Sequence, residues 1–503
     1  MLTDGTVSKL KKTILISYAI LCLLSVLFLK NHGISAKASS MIWIVDDDEL
    51  ADFRTIQEAI NNASSGDTIF VRSGIYFESI LVIRTVSLIG ENRNTTIIDG
   101  SGAGSVISIA ASGVNIQGFT VRNSGDRLYE SGIFIDRRSS GNNISHNIVS
   151  NNNDGISLYS SSNNIVSSNI ISNNDYNGIV LYSSSNNKFS ANTVSNNSDG
   201  ISLFSSRNNV FSGNTISNNN NGIYPIFGSI SNIIYHNNFN NIQNVQTDSV
   251  NFWNSGDEGN YWSDYYGKDS DNDGIGDTKP YIIDSSNQDD NPLMGLFSEL
   301  NVALETETYS VTIICNSTIS DLTFEIGQET GNRLIRFNIG GEDGTVGFCR
   351  VTIPAGLMKY PSIVLAGSNE ILPARLNDPN ETYVRLYFTY SHKSHTIAIV
   401  SSEMMYLYSK LEIYLSNLNT TYYSLLSSYN VLSANYSLLQ ENFGTLSASY
   451  DRHLSDYSDQ IQNIRSLVYI FAATTAIFMI TTVYLSKIAH ASITAKTKES
   501  MEK

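Results

Sequence analysis

Five residues in one short stretch have the types and spacing to hold a cation. Asp269, Asp271, Asp273 and Asp277 put carboxylates at positions 1, 3, 5 and 9 of a turn with Gly274 at position 6. Alternate spacing converges oxygens on one hard ion, and Ile275 at position 7 would add its backbone carbonyl, so Ca2+ is the expected ligand. Position 12 is Pro280, where an EF-hand loop carries Glu, and no flanking helices are evident. A partial, non-EF-hand site is therefore expected, completed by Asp284, Asp289 or Asp290. Candidates for acid–base chemistry are sparser. Asp126-Arg127 and Asp136-Arg137-Arg138 lie in a lengthened segment, 124–138, and long loops carry function more often than regular coils. Asp136 and Arg137 are the weak catalytic candidates, suited to a lyase-type proton abstraction. Asp154 and Asp199 share a position with Asn177 and Asn221 before Gly, which is ordinary turn chemistry. They should stand roughly 10 Å apart, wider than a hydrolytic pair prefers. Copper handling needs clustered Met, His or Cys, and this region offers only His146 and His236, four coils apart.

These residues ride on a repeat. Gly132, Gly155, Gly178, Gly200 and Gly222 recur every 22 or 23 residues. Asn142, Asn164, Asn187, Asn209 and Asn232 keep the same beat, as do Asn147, Asn169, Asn192, Asn214 and Asn237. Apolar residues alternate within each unit, as in Ile156 and Leu158 or Ile179 and Leu181. Short period-2 runs between Asn/Ser/Gly turns are strands, and three per unit leave no room for crossover helices. The chain must coil, each strand stacking on its counterpart about 4.8 Å away. The Asn columns should form amide ladders at the corners, and Gly should supply the corner conformation. Phe53 to Ala63 reads as a short amphipathic helix that caps the exposed end. Trp253, Tyr261, Trp262, Tyr265 and Tyr266 are expected to seal the other end rather than to serve as a sugar platform.

The stretches IWIVDDDELADFRTIQEAINNA and VSLIGENRNTTIIDG, the repeats, and NFWNSGDEGNYWSDYYGKDSDNDGIGDTKPYIID together resemble archaeal-type NosD-like or pectate-lyase-like surface proteins. The resemblance covers about residues 41–295. It implies a right-handed parallel β-helix, with either copper-site maturation or polysaccharide cleavage as the activity of its relatives. Neither chemistry transfers without matching residues.

Beyond the repeats, residues 300–402 hold about eight alternating runs that suggest a β-sandwich. Cys315 and Cys349 fall in its strands, as a disulfide or as two buried thiols. From Leu411 the apolar period becomes 3–4 and holds over five heptads, the seam of a coiled-coil stalk at 405–465 that must self-associate or fold back. Ser466 to Ser486 carries no charge, enough for a transmembrane helix, with Lys487, Lys496 and Lys498 in a cytoplasmic tail at 487–503. Lys9, Lys11 and Lys12 precede an apolar run that ends near Ala36-Lys37-Ala38, which makes 1–38 a signal peptide or an N-terminal anchor.

The fold class is thus all-β, a parallel β-helix at 41–295 followed by a sandwich, a stalk and a membrane helix. The ectodomain should be extracytoplasmic on a single-pass cell-membrane anchor. A net charge of −16 opposes nucleic acid as a partner and favours cations. The expected partners are an extracellular glycan or a neighbouring surface protein, the membrane, and a second copy through the stalk. The expected role is non-catalytic carbohydrate binding or adhesion; a polysaccharide lyase or glycoside hydrolase, and copper delivery, are the alternatives.

Overall fold

The computed structural model describes residues 40–499 apart from 49, 360–362, 393–394 and 402. The signal-peptide expectation for 1–38 lies outside the described residues. The chain divides into two compact units at Tyr406/Leu407.

The first unit begins with the β-helix. Among the described residues its coils form three parallel sheets of nine, eight and nine strands. Successive coils pair in register, so that Ile144 lies on Val166, Val166 on Phe189, Phe189 on Phe211 and Phe211 on Ile234. All five are fully buried. The Phe189 and Phe211 rings stack at 4.7 Å. Burial of such columns from coil to coil is the dominant cohesion of the solenoid.

The corners are held by amide ladders. Asn187 Nδ2 donates to Asn209 Oδ1 at 3.1 Å, and Asn187 Oδ1 accepts from both the backbone N–H and Nδ2 of Asn164. The column through Asn147 and Asn169 does the same. A third ladder, through Asn152, Asn174, Asn197 and Asn219, completes the set.

The glycine column has a different cause from the one its spacing suggested. Gly132, Gly155, Gly178, Gly200 and Gly222 are absent from the left-handed region; His146, Ser168, Ala191 and Asn196 occupy it instead. A Cβ on Gly178 would stand 2.4 Å from Val194 Cγ1 and 2.8 Å from the Gly200 carbonyl oxygen. Glycine is there because neighbouring coils approach too closely for a side chain.

Helix α1 (Ile56–Asn62) is shorter than the sequence pattern proposed. Thr55 caps it, and the Glu78 carboxylate accepts from the Ile56 and Gln57 N–H groups. Ile56, Ala59 and Ile60 are buried against the first coil. At the other end Trp253 and Trp262 are buried, and Trp262 stacks on Phe239 at 4.6 Å and on Tyr281 at 4.3 Å. Trp253 and Trp262, with Tyr261 and Tyr265 half-buried, therefore close the cylinder, whereas Tyr266 is exposed and takes no part.

Among the described residues, Leu296 to Ser401 build two antiparallel five-stranded sheets that share one apolar core. Cys315 and Cys349 are directly opposed on adjacent strands and buried as free thiols, each within reach of the Tyr390 hydroxyl. Burial and the opposed pair push the Cys349 thiol well up. The sandwich docks on the last coils, where Asn238 exchanges two hydrogen bonds with the Phe297 backbone.

The second unit, from Leu407, is formed by helix α2 (Glu403–Glu499), 97 residues without a break, whose first turn belongs to the first unit. Within Leu411–Thr494 lies a stretch long and apolar enough to cross a membrane.

Candidate functional site

Two sites stand out on the first unit. The first is an aromatic strip on the outside of the sheet that starts each coil. Tyr159 pairs in register with Tyr182, and Tyr182 with Phe204. The rings of Tyr182 and Phe204 stack at 5.1 Å, and Phe134 continues the strip at 6.5 Å from Tyr159. Tyr129, carried by the 124–138 insertion, meets Tyr159 and Tyr182 edge-on at 5.6 and 5.3 Å. Beside the strip, the register lines up Ser157, Val180 and Ser202, all completely buried. The hydroxyls of Ser157 and Ser202 have no hydrogen-bond partner among the described residues.

A cavity of about 290 Å3 opens at the insertion, bordered by Asp126, Leu128, Asn153 and Asp154, with Tyr176, Asn177 and Tyr182 opposite. Asn153 Nδ2 donates to the Asp126 carbonyl oxygen, which fixes the insertion to the coil below. Asp154 accepts from Asn177 N–H and Nδ2, and burial holds its carboxyl above the usual carboxylate range against those bonds. Burial, then the Asp154 charge and Tyr129, pushes the Tyr182 phenol up to about 12. Asp199 likewise accepts from Asn221, and all four residues open strands rather than turns, so the Asp/Asn column joins coils in pairs instead of forming the turns its Asp/Asn-Gly sequence suggested. Asp136 and Arg137 are not among the residues bordering the cavity. Asp136 turns onto the Arg137 N–H at 2.7 Å, and Arg137 is exposed.

The second site is the acidic loop. Asp269, Asp271 and Asp273 bring a carboxylate oxygen each within 4.8 Å of the others. Asn272 and Gly274 take left-handed conformations that curl the turn. Asp269 accepts from Asp273 N–H and Gly274 N–H, and Asp273 from Ile275 N–H. Burial raises the Asp273 carboxyl, Asp271 and Asp269 add to it, and the Ile275 N–H and Arg350 oppose it. Ile275 is pinned by a bridge to Leu293, with its side chain against Phe297 and Ile314. Asp277 is directed elsewhere, onto the Ser270 N–H at 2.6 Å. The three carboxylates expected to complete the site are engaged apart from it. Asp289 accepts from Asn260 N–H and Trp262 Nε1 and is pushed by burial up to about 6. Asp284 accepts from Asn287, and Asp290 from Gln288.

Arg350 joins this loop to the sandwich. It is 4 % exposed and bonds Glu258 at 2.6 Å, while Glu258 also bonds His236 Nε2 at 2.7 Å. Burial alone would raise Glu258; the His236 bond and the Arg350 charge outweigh it and hold the carboxyl at about 2. His236 is thus committed to a structural junction, stacked on Phe297 at 4.1 Å.

Sequence reasoning missed the aromatic strip and the acidic triplet Asp46, Asp47 and Asp48 near the first coil. Tyr159, Tyr182 and Phe204 recur at 23 and 22 residues, in phase with the glycines, and that was the available signal.

The architecture defines a parallel β-helix protein. Residues 60–267 match the model of a family described as periplasmic copper-binding protein (NosD), and over that stretch the protein is NosD-like. Among solved structures it is similar to pectate lyase Pel9A, at 15% identity over 45% of this chain and 76% of that one, TM-score 0.35. XylC in complex with xylose matches at 12% identity over 44% of this chain and 67% of that one, TM-score 0.34. An alginate lyase from Paenibacillus sp. str. FPU-7 matches at 14% identity over 42% of this chain and 74% of that one, TM-score 0.31. No curated protein matches the chain.

Proposed function

We propose that this is an exported, membrane-tethered surface protein that binds neutral carbohydrate along the aromatic strip without cutting it. The observation that carries the reading is the juxtaposition of Tyr159, Tyr182 and Phe204 with the cavity bordered by Asp126, Asp154 and Asn177. Partly buried aromatic rings still offer some apolar area to the C–H faces of a sugar, while the acidic and amide groups beside them accept and donate to its hydroxyls. The acidic lining and the net charge of −16 disfavour a polyuronate. Calcium, held by Asp269, Asp271 and Asp273 with the Ile275 carbonyl, stabilises the closing segment in this reading, and the apolar part of α2 is the anchor.

The test is a panel of neutral and acidic polysaccharides incubated with the full-length protein in detergent, read for retention and for chain length. Retention of a neutral polymer at unchanged length is the expected result. Shortening that disappears in Asp136→Ala or Arg137→Ala would make the protein a lyase or hydrolase instead. A copper role is favoured by the family match over 60–267. Its discriminating result is Cu binding at micromolar or tighter affinity that Glu258→Ala, which removes the partner of His236, changes.

A further inference from the structure

The exposed face of α2 carries a register that its spacing makes explicit. Leucine occupies every seventh position at Leu411, Leu418, Leu425, Leu432, Leu439 and Leu446. The alternate seam position, three residues before the next leucine, is aromatic at Tyr422, Tyr429, Tyr436 and Phe443, and Tyr450 follows Leu446 at the same four-residue step. These eleven side chains are 58–71% exposed on a helix that is unbroken from Glu403 to Glu499. In heptad terms leucine fills d and an aromatic ring fills a.

We propose that this face docks a second copy of the same chain, parallel and in register, to form a homotypic coiled coil. Three observations select that occupant. First, a seam of strict 3–4 spacing is complementary to itself, because each a or d side chain enters a hole made by four residues of an identical helix. Second, the flanking positions from Asn419 to Ser449 hold Asn, Ser, Thr, Gln and Leu, with no charge. Self-pairing therefore meets no like-charge repulsion, and nothing in the pattern selects a different chain. Third, the area suffices: eleven seam residues at about 100 Å2 each bury roughly 2,000 Å2 over two chains, at the upper end for a stable interface.

At Tyr450 two successive four-residue steps, Leu446 to Tyr450 and Tyr450 to Leu454, introduce a stutter that locally unwinds the supercoil before the apolar span. Parallel direction rests on the membrane reading above, since two spans entering one bilayer from the same side carry their stalks alike.

The experiment uses the full-length protein in detergent and in vesicles, with a short bismaleimide as probe. Leu418→Cys lies at a d position near one end of the seam, and Thr420→Cys two residues on faces away. The unaltered chain, whose own cysteines are Cys22 in the N-terminal segment and the buried Cys315 and Cys349, is the blank. The expected result is a dimer linked through Leu418→Cys, several-fold above Thr420→Cys and the blank. A mixture of Leu418→Cys and Leu446→Cys chains should give only like-with-like links. Preferential Leu418-to-Leu446 linking would mean antiparallel packing and would overturn the proposal, as would a monomeric mass by light scattering of the unaltered protein. Alkaline extraction of the vesicles reads anchoring separately. Release of the chain with linking intact would sink the membrane reading and leave the pairing standing.

Discussion

Replacing Asn187 by alanine tests the ladder that holds the coils together. Its Oδ1 accepts from the Asn164 backbone N–H at 2.9 Å and from Asn164 Nδ2 at 3.0 Å, and its Nδ2 donates to the Ser161 carbonyl oxygen at 3.2 Å. Asn164 Nδ2 keeps a second partner in Ser161 Oγ, but the Asn164 N–H has no other acceptor in the ladder. Asn187→Ala thus leaves one buried donor and one buried carbonyl short of a partner. At about 1–3 kcal/mol for each stranded group, with a few tenths more for lost contacts, the cost is roughly 3–5 kcal/mol. In a solenoid that cost falls on the adjacent coil interface rather than on the whole chain. Native-state hydrogen exchange is the assay. The Asn164 amide and its coil neighbours should exchange on the order of a hundred- to a thousand-fold faster, while Lys188→Ala, one residue on and exposed, should change little. Exchange within tenfold of the unaltered protein at Asn164 would refute the claim that the ladder carries cohesion.

Gly178→Ala should cost about 1–3 kcal/mol by overpacking against Val194 and the Gly200 carbonyl, seen as a lower melting temperature. For Glu258 the carboxyl lies at about 2 in the folded protein against an ordinary value near 4.5. Its contribution is present above pH 4.5 and is lost as pH falls towards 2, roughly 3 kcal/mol in all. Glu258→Gln should therefore flatten the acid limb of a melting-temperature-against-pH curve. Calcium in excess should raise the melting temperature, by about 2.7 kcal/mol of added stability at a hundred times its dissociation constant, and a chelator should reverse it. Asp271→Ala should abolish that response; an identical melt with and without chelator would end the calcium reading.

The solenoid was legible because its stabilising contacts repeat. Each inward Ile, Val or Phe must meet its counterpart one coil on, and each buried Asn must find another amide, so the same residue types return every 22 or 23 positions. The role of the glycine column was not legible, because spacing does not separate a left-handed corner from a close approach of two coils. The three-residue network of His236, Glu258 and Arg350 was hidden for another reason. It forms only where the sandwich docks on the last coils, and no local period links residues so far apart. The acidic loop was half legible: alternate aspartates converge as their spacing required, but Asp289 is drawn into the core by Asn260 and Trp262. The aromatic strip was readable in principle, and was passed over because outward positions of the coils are otherwise small and polar.

The most direct measurement is titration of the intact protein with neutral oligosaccharides, comparing Tyr182→Ala with Tyr266→Ala, a substitution at an exposed tyrosine away from the strip. Saturable binding that Tyr182→Ala weakens at least tenfold and Tyr266→Ala leaves unchanged is the predicted result. Equal affinity in all three proteins, or no saturable binding by any neutral sugar, would contradict it.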